Sequence, residues 1–458
     1  MKRWLGRIVA AAVLFALAVT AVSIRAVDWT SPDRAHYSRR TTEALQQAFR
    51  TSARCGTQLL EAGVGRAGLT PKAGVPLAGY GDRKGQGAEG VHDSLFVHAL
   101  VVRGGQCVVA FVALEALIVP SEVALRVLDS LHLDPGLGAS EVYFGATHTH
   151  SGPGGWGRGP LAEAFAGEFR SEVVDMLVDS SVAAVRRAWS DLGPAEATWG
   201  QFAARRFTAN RLVGEKGTVD SLFSFLAFRR GGWLLAVLGS FAAHATVLPA
   251  SNLQFSGDWP GFWSRALELA GVRCTLYVAG GVGSHAPRSP GKDFQGAQAL
   301  GGALADSVLA RLRAANWRRE AVLQALWVPV ELGPMQLRIS QKLRLASWLT
   351  RRITNPGPVW LNGVRIGDLV LLSAPADWSG ELTNELRATA DSLGWQVTVT
   401  SFNGGYIGYV VPDRYYPLRT YETRLMSFYG PHTASYFMGL YRKMLYGLAA
   451  NRQGQGEG

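Results

Sequence analysis

Short apolar runs bounded by glycine, proline and aspartate recur along the chain: Ala99–Val102, Val108–Leu114, Val142–Phe144, Trp233–Leu238, Leu276–Val278, Leu369–Leu372 and Val397–Thr400. Runs of this length that do not alternate with polar residues predict strands buried on both faces. Between them the apolar positions recur every three or four residues. That period predicts helices over Ser121–Leu131, Leu161–Ala188, Gln295–Ala314, Gly380–Ser392 and Thr433–Ala449, with a shorter one over Thr41–Thr51. Strand and helix patterns interleave, so the fold class is α/β, with mixed β-sheets flanked by helices. One further stretch, Leu337–Arg352, is basic and amphipathic. It reads as a helix packed on the core with its arginines in water, a pattern that a membrane-surface helix shares.

The amino terminus departs from this scheme. Lys2, Arg3 and Arg7 precede 17 residues without a charge, Ile8–Ile24. An export signal has this shape, and the run is only just short of the roughly 20 residues that cross a bilayer. No small-x-small cleavage pattern and no cysteine follow directly, so residues 1–29 read as an uncleaved anchor in preference to a removed signal, outside the fold. Either way the body is exported, to a periplasmic or extracellular face. Residues 30–450 then form a single domain, and the polar tail 451–458 is expected to be disordered.

Composition narrows the class. With 48% hydrophobic and 18% charged residues the chain can bury a large core, which excludes a disordered protein. The net charge is 46 − 35 = +11, mostly arginine and spread along the chain. This gives a solvated basic surface that is compatible with an anionic membrane. No basic run is interleaved with aromatics, so nucleic acid is not an expected partner, and no protein partner is inferred. Three cysteines are too few and too scattered for a disulfide framework or a thiolate zinc cluster. Any metal must then be held by histidine, carboxylate or phenolate.

The densest chemistry lies at Thr147-His148-Thr149-His150-Ser151-Gly152-Pro153-Gly154-Gly155, directly after the strand Val142–Phe144. Histidines at i and i+2 project to one side of an extended chain, and imidazole is the commonest protein ligand for zinc. Two histidines satisfied by backbone bonds in a turn would leave the same pattern. His244, in Ala243-His244-Ala245-Thr246 at the end of the strand Trp233–Leu238, is a candidate further ligand. Asp258 would either orient an imidazole from behind or cap a helix starting at Trp259.

These blocks resemble the neutral/alkaline (non-lysosomal) ceramidase family. Gly63-Val64-Gly65-Arg66-Ala67, Gly90-Val91-His92-Asp93, Tyr406-Ile407-Gly408-Tyr409, Tyr421-Glu422 and Tyr429-Gly430-Pro431-His432-Thr433 follow in the family's order. The resemblance implies a zinc-dependent amidase that hydrolyses N-acyl sphingosine (ceramide) to fatty acid and sphingoid base through metal-activated water. It implies His148, His244, Asp377 and Tyr409 as metal ligands and His150 as the catalytic group beside the metal. Asp377 stands where the family has glutamate, with Glu381 one turn later as the alternative ligand. The family's serine position falls on Ala286, and Ser284 is the neighbouring hydroxyl of the substrate or supporting shell. Two other readings stay open: a zinc hydrolase of another acylated envelope amide or ester, and a non-catalytic lipid-binding ectodomain.

Overall fold

The computed structural model describes residues 2–53 and 55–450; the tail 451–458 lies outside the described residues. The protein is mixed α/β. A nine-stranded sheet runs in the order Gln396–Ser401, Leu369–Ala374, Trp360–Ile366, Glu320–Pro329, Thr57–Gly68, Phe96–Gly104, Cys107–Leu114 and Val142–Ala146, with Gly193–Pro194 added beside Thr57–Gly68. A four-stranded sheet runs Cys274–Ala279, Trp233–Phe241, Leu222–Arg230 and Glu196–Ala203. The seven predicted strands all fall within these elements. The two sheets share an apolar layer that includes Val64, Val102, Phe111, Leu226, Leu238 and Leu276. A side chain at Gly145 would meet Val278 of the facing sheet at 2.2 Å.

Helices close both outer faces. Ser171–Ser190 lies so near Thr57–Gly68 that a Cβ on Gly65 would sit 2.1 Å from the carbonyl of Ala184. Asp258–Leu269 and Phe294–Arg313 cover the four-stranded sheet, while Gly380–Ser392 and Thr433–Ala450 cover the other end of the large one.

Four expectations need correction. The helix expected over Leu161–Ala188 is two helices, Pro160–Ala166 and Ser171–Ser190. Gly167 breaks it, at φ +74 and pressed against Pro76, where no Cβ fits. Leu337–Arg352 is not one helix: Leu343–Leu345 is a strand, and only Ser347–Thr354 is helical. Its Arg338 is buried and donates to the carbonyls of Leu418 and Thr423. Residues before 30 are not all outside the fold, because Ile24–Ala26 pairs antiparallel with Leu343–Leu345. Main-chain pairing of so short a strand leaves no periodic trace in the side chains. Finally, Cys55 and Cys107 form a disulfide although they stand 52 residues apart in sequence.

The helix Lys2–Ser23 is long and apolar enough to cross a membrane and is exposed throughout the part whose side chains are described, apart from half-buried Ser23. It fits a signal or an anchor.

Candidate metal centre

Parallel strand pairs decide where the chemistry sits. Cys107–Leu114 runs parallel to Val142–Ala146, Trp233–Phe241 to Cys274–Ala279, and Leu369–Ala374 to Gln396–Ser401. Loops at the carboxyl ends of parallel strands are where α/β sheets form their ligand crevices. Here those loops carry Leu117, His148 and His150, His244, Val282, Asp377, and Tyr406 with Tyr409.

His148 and His150 do not lie on an extended chain, as their spacing suggested. His148 adopts φ +61, and its backbone N–H donates to Ala116, so a turn delivers the ring. The ring stacks on Phe402 at 4.0 Å and 8°. Its Nδ1 lies 2.7 Å from the Leu117 carbonyl, and Nδ1 of His244 lies 3.1 Å from the Val282 carbonyl. A carbonyl can only accept, so each Nδ1 carries the proton and each Nε2 is a bare lone pair in the neutral ring. Those two Nε2 atoms face each other at 2.8 Å, and Nε2 of His150 lies 3.3 Å from that of His148. Two bare acceptors at that distance repel unless a cation sits beside them. His148 and His244 are buried and His150 is half-buried, and the ligand atoms of the three rings all lie within 4.8 Å of one another. Burial holds His148 down to about 3 and holds His150 and His244 well below the ordinary imidazole range. This neutral cluster could bind a metal ion.

Asp377 borders it. Its Oδ1 lies 3.6 Å from Nε2 of His148 and has no hydrogen-bond partner among the described residues, while Oδ2 accepts from the Tyr406 hydroxyl at 2.7 Å. Burial pushes this carboxyl up to about 7. Tyr409 pairs with Asp377 across a short parallel bridge, and its hydroxyl accepts from Arg211 at 3.0 Å. Burial raises the Tyr409 phenol well above its usual range, with Asp377 adding to the shift and Arg211 opposing it. Orphaned Oδ1 and the converging nitrogens make a donor set of imidazole and carboxylate, which suits zinc.

Other expected residues stand elsewhere. Glu381 is buried one turn away and is committed to Asn210, Arg414 and Tyr415. Asp258 bonds no imidazole among the described residues, which corrects its expected role behind a ligand: its carboxylate accepts from the backbone of Leu248 and Trp259 and fixes the loop after His244. It occupies the first turn of its helix, at φ +51, and is not the cap. Ser284 is also behind the site. His285 takes a backbone N–H from Asp220 on Nε2, so its Nδ1–H donates to Ser284 Oγ, which in turn bonds Ser379. A serine that receives a proton from histidine is not activated as a nucleophile. Ala286 pairs with Ala209 in a two-stranded ribbon.

A cavity of about 450 Å³ opens onto His148, His150, Asp377, Tyr406 and Tyr409. Leu117, Ile118, Leu125, Trp156, Phe165 and Phe428 make its walls largely apolar. Phe402 and Arg211 were not foreseen. Neither belongs to a local motif, and only the fold brings them to the site.

These observations define the class: a two-sheet α/β protein with a metal-competent histidine and carboxylate centre at the floor of an apolar cavity. A family model described as "Neutral/alkaline non-lysosomal ceramidase, N-terminal" matches residues 60–275. The neutral ceramidase of Pseudomonas aeruginosa is 28% identical over 47% of this chain and 35% of its own length. That of Mycobacterium tuberculosis is 29% identical over 46% and 36%. That of Drosophila melanogaster is 21% identical over 85% and 74%. The chain thus spans about a third of the two bacterial relatives it matches. The crystal structure of the Pseudomonas aeruginosa neutral ceramidase has the same fold, with a TM-score of 0.74 over 86% of this chain and 75% of that one at 21% identity. Residues 60–275 thus resemble the neutral/alkaline non-lysosomal ceramidase family, and most of the chain shares the fold of a neutral ceramidase.

Proposed function

We propose that this chain is a zinc-dependent amidase that hydrolyses N-acyl sphingosine to fatty acid and sphingoid base. The observation that carries the reading is the convergence of two bare Nε2 atoms, from His148 and His244, beside the orphaned Oδ1 of Asp377. In this reading His148, His244, Asp377 and Tyr409 hold the ion. Bound zinc would polarise the amide carbonyl and lower the pKa of water from about 15.7 to about 7. His150, kept neutral by burial, accepts the proton released as water adds to the carbonyl and returns it to the departing amine. Arg211 keeps its charge through Tyr409, Glu422 and Asp377 and, by donating to the Tyr409 oxygen, orients that ligand. The apolar cavity walls take the acyl chain. Nothing in this scheme asks for a serine, in keeping with the acceptor role of Ser284.

Relatives named neutral ceramidase support ceramide as substrate. The Cys55–Cys107 disulfide supports export to an oxidising compartment, and the anchor-like helix supports a membrane tether. Alanine at position 286 favours, as the second reading, an acylated envelope amide or ester. The test is zinc content by atomic emission, with fatty-acid release from a panel of ceramides and envelope lipids, with and without chelator. Chelator-sensitive ceramide turnover is expected. Stoichiometric zinc without ceramide turnover would reject the ceramide assignment.

A further inference from the structure

The chain leaving the amino-terminal helix is fastened to the rim of the cavity. Ile24, Arg25 and Ala26 pair with Leu345, Arg344 and Leu343. Ala346 donates to the Ser23 carbonyl at 2.7 Å, Val27 to Lys342 at 2.9 Å, and the Trp348 indole to Val22 at 3.2 Å. Helix and strand therefore join without a linker. The partner strand continues through Ser347–Thr354 into Asn355, Pro356 and Gly357, which line the cavity.

The rim has an unusual surface. From Leu337 to Pro358 there is no acidic residue, while Lys342, Arg351 and Arg352 are exposed beside Leu343 and Trp348. The turn Tyr421–Leu425 adds exposed Tyr421, Arg424 and Leu425, and Arg424 is bonded to the Ile339 carbonyl. Exposed tryptophan, leucine and arginine in one patch are the composition of a bilayer interface. A membrane-length helix ends at the same patch.

We infer that the amino-terminal helix is retained, and that its exit strand clamps the cavity mouth against an anionic bilayer surface. Substrate then enters from the leaflet without crossing water. The identity of what enters rests on the lipid-amide reading; the membrane geometry does not.

The test uses the full chain in phosphatidylcholine and phosphatidylglycerol vesicles with brominated acyl chains. A fluorophore is attached at Leu425→Cys or, as control, at Trp233→Cys, an exposed site at the opposite end of a strand that runs towards the centre. Cys55 and Cys107 are paired and Cys274 is buried, so labelling is specific. Bromolipid should quench the Leu425 label at least roughly threefold more than the control. A flexible insertion of about twelve residues between Val22 and Ser23 should abolish that difference in high salt, which screens the rim's own attraction. Equal quenching at the two sites, quenching unaffected by the insertion, or a purified mass lacking the first 23 residues would each overturn the inference. Quenching needs no turnover: selective quenching without ceramide hydrolysis would reject only the amidase reading. Hydrolysis in detergent with equal quenching would reject only this one.

Discussion

Asp377→Asn separates a metal ligand from a structural carboxylate, because the two roles predict opposite signs. In the metal-free protein the Oδ1 of Asp377, once the carboxyl is ionised, faces a bare imidazole nitrogen at 3.6 Å, acceptor against acceptor. Asparagine is nearly isosteric. Its amide nitrogen would donate to His148 Nε2, and its oxygen would keep the Tyr406 bond. Relieving a buried unsatisfied acceptor is worth about 1–3 kcal/mol, so the chelator-treated variant should melt at a higher temperature than the parent. The same new bond occupies the lone pair a cation needs and removes the only carboxylate facing the three rings among the described residues. Substitutions one shell further from a metal cost about 10–100-fold in affinity, and loss of a ligand should exceed that. Thermal melting without metal and zinc titration against a chromophoric chelator read the two effects separately. A lower melting temperature without metal, or zinc affinity equal to the parent's, would refute the assignment of Asp377.

Gly79→Ala should cost turnover on the order of a hundredfold while leaving zinc content intact, since its methyl would fall 2.6 Å from the His150 ring and away from His148 and His244. Ser284→Ala should keep ceramide turnover within about an order of magnitude while costing about 1–3 kcal/mol of stability. A loss as deep as that of His150→Ala would return the serine to the chemistry. Reducing Cys55–Cys107, which closes a 52-residue separation, should cost about 4 kcal/mol in chain entropy, read as a lower denaturant midpoint. Burial pushes the Asp258 carboxyl up to about 7 from an ordinary 3.8. The folded chain then holds a proton that the unfolded chain has released, and stability falls as pH rises from about 4 to about 7, by up to about 4 kcal/mol. Denaturant melts of the metal-free protein across that range should show the slope, to which Asp377 adds its own share, and Asp258→Asn should make it shallower by the Asp258 share.

What the sequence disclosed follows from what local patterns encode. Uniformly apolar runs such as Val108–Leu114 and Leu369–Leu372 are buried at every position, so their strands were readable. The helix Gly380–Ser392 was readable to the residue because Ser379 caps it. Failures came where a long-range contact overrules the local period. Pro76 against Gly167 splits one helix, Ile24–Ala26 turns part of another expected helix into a strand, and a disulfide joins two cysteines that looked isolated. For the site, the motif histidines were legible, but the means of their convergence was not. Phe402, Leu117 and Val282 act through a ring face and two carbonyls, and a carbonyl leaves no mark on sequence.

Those silent contributors explain why the centre needs this fold. Each Nδ1 must be pinned to a carbonyl for its Nε2 to stay bare, and each carbonyl comes from the loop that follows the strand parallel to the one leading to the histidine: Leu117 beside His148, Val282 beside His244. A parallel pair ends both strands at the same edge, so the ring and the acceptor that fixes its tautomer arrive together. An antiparallel neighbour would carry its chain away from that edge. The donor set is thus a property of strand direction as much as of the histidines, and moving the motif to an antiparallel edge would lose the tautomer before it lost the ligands.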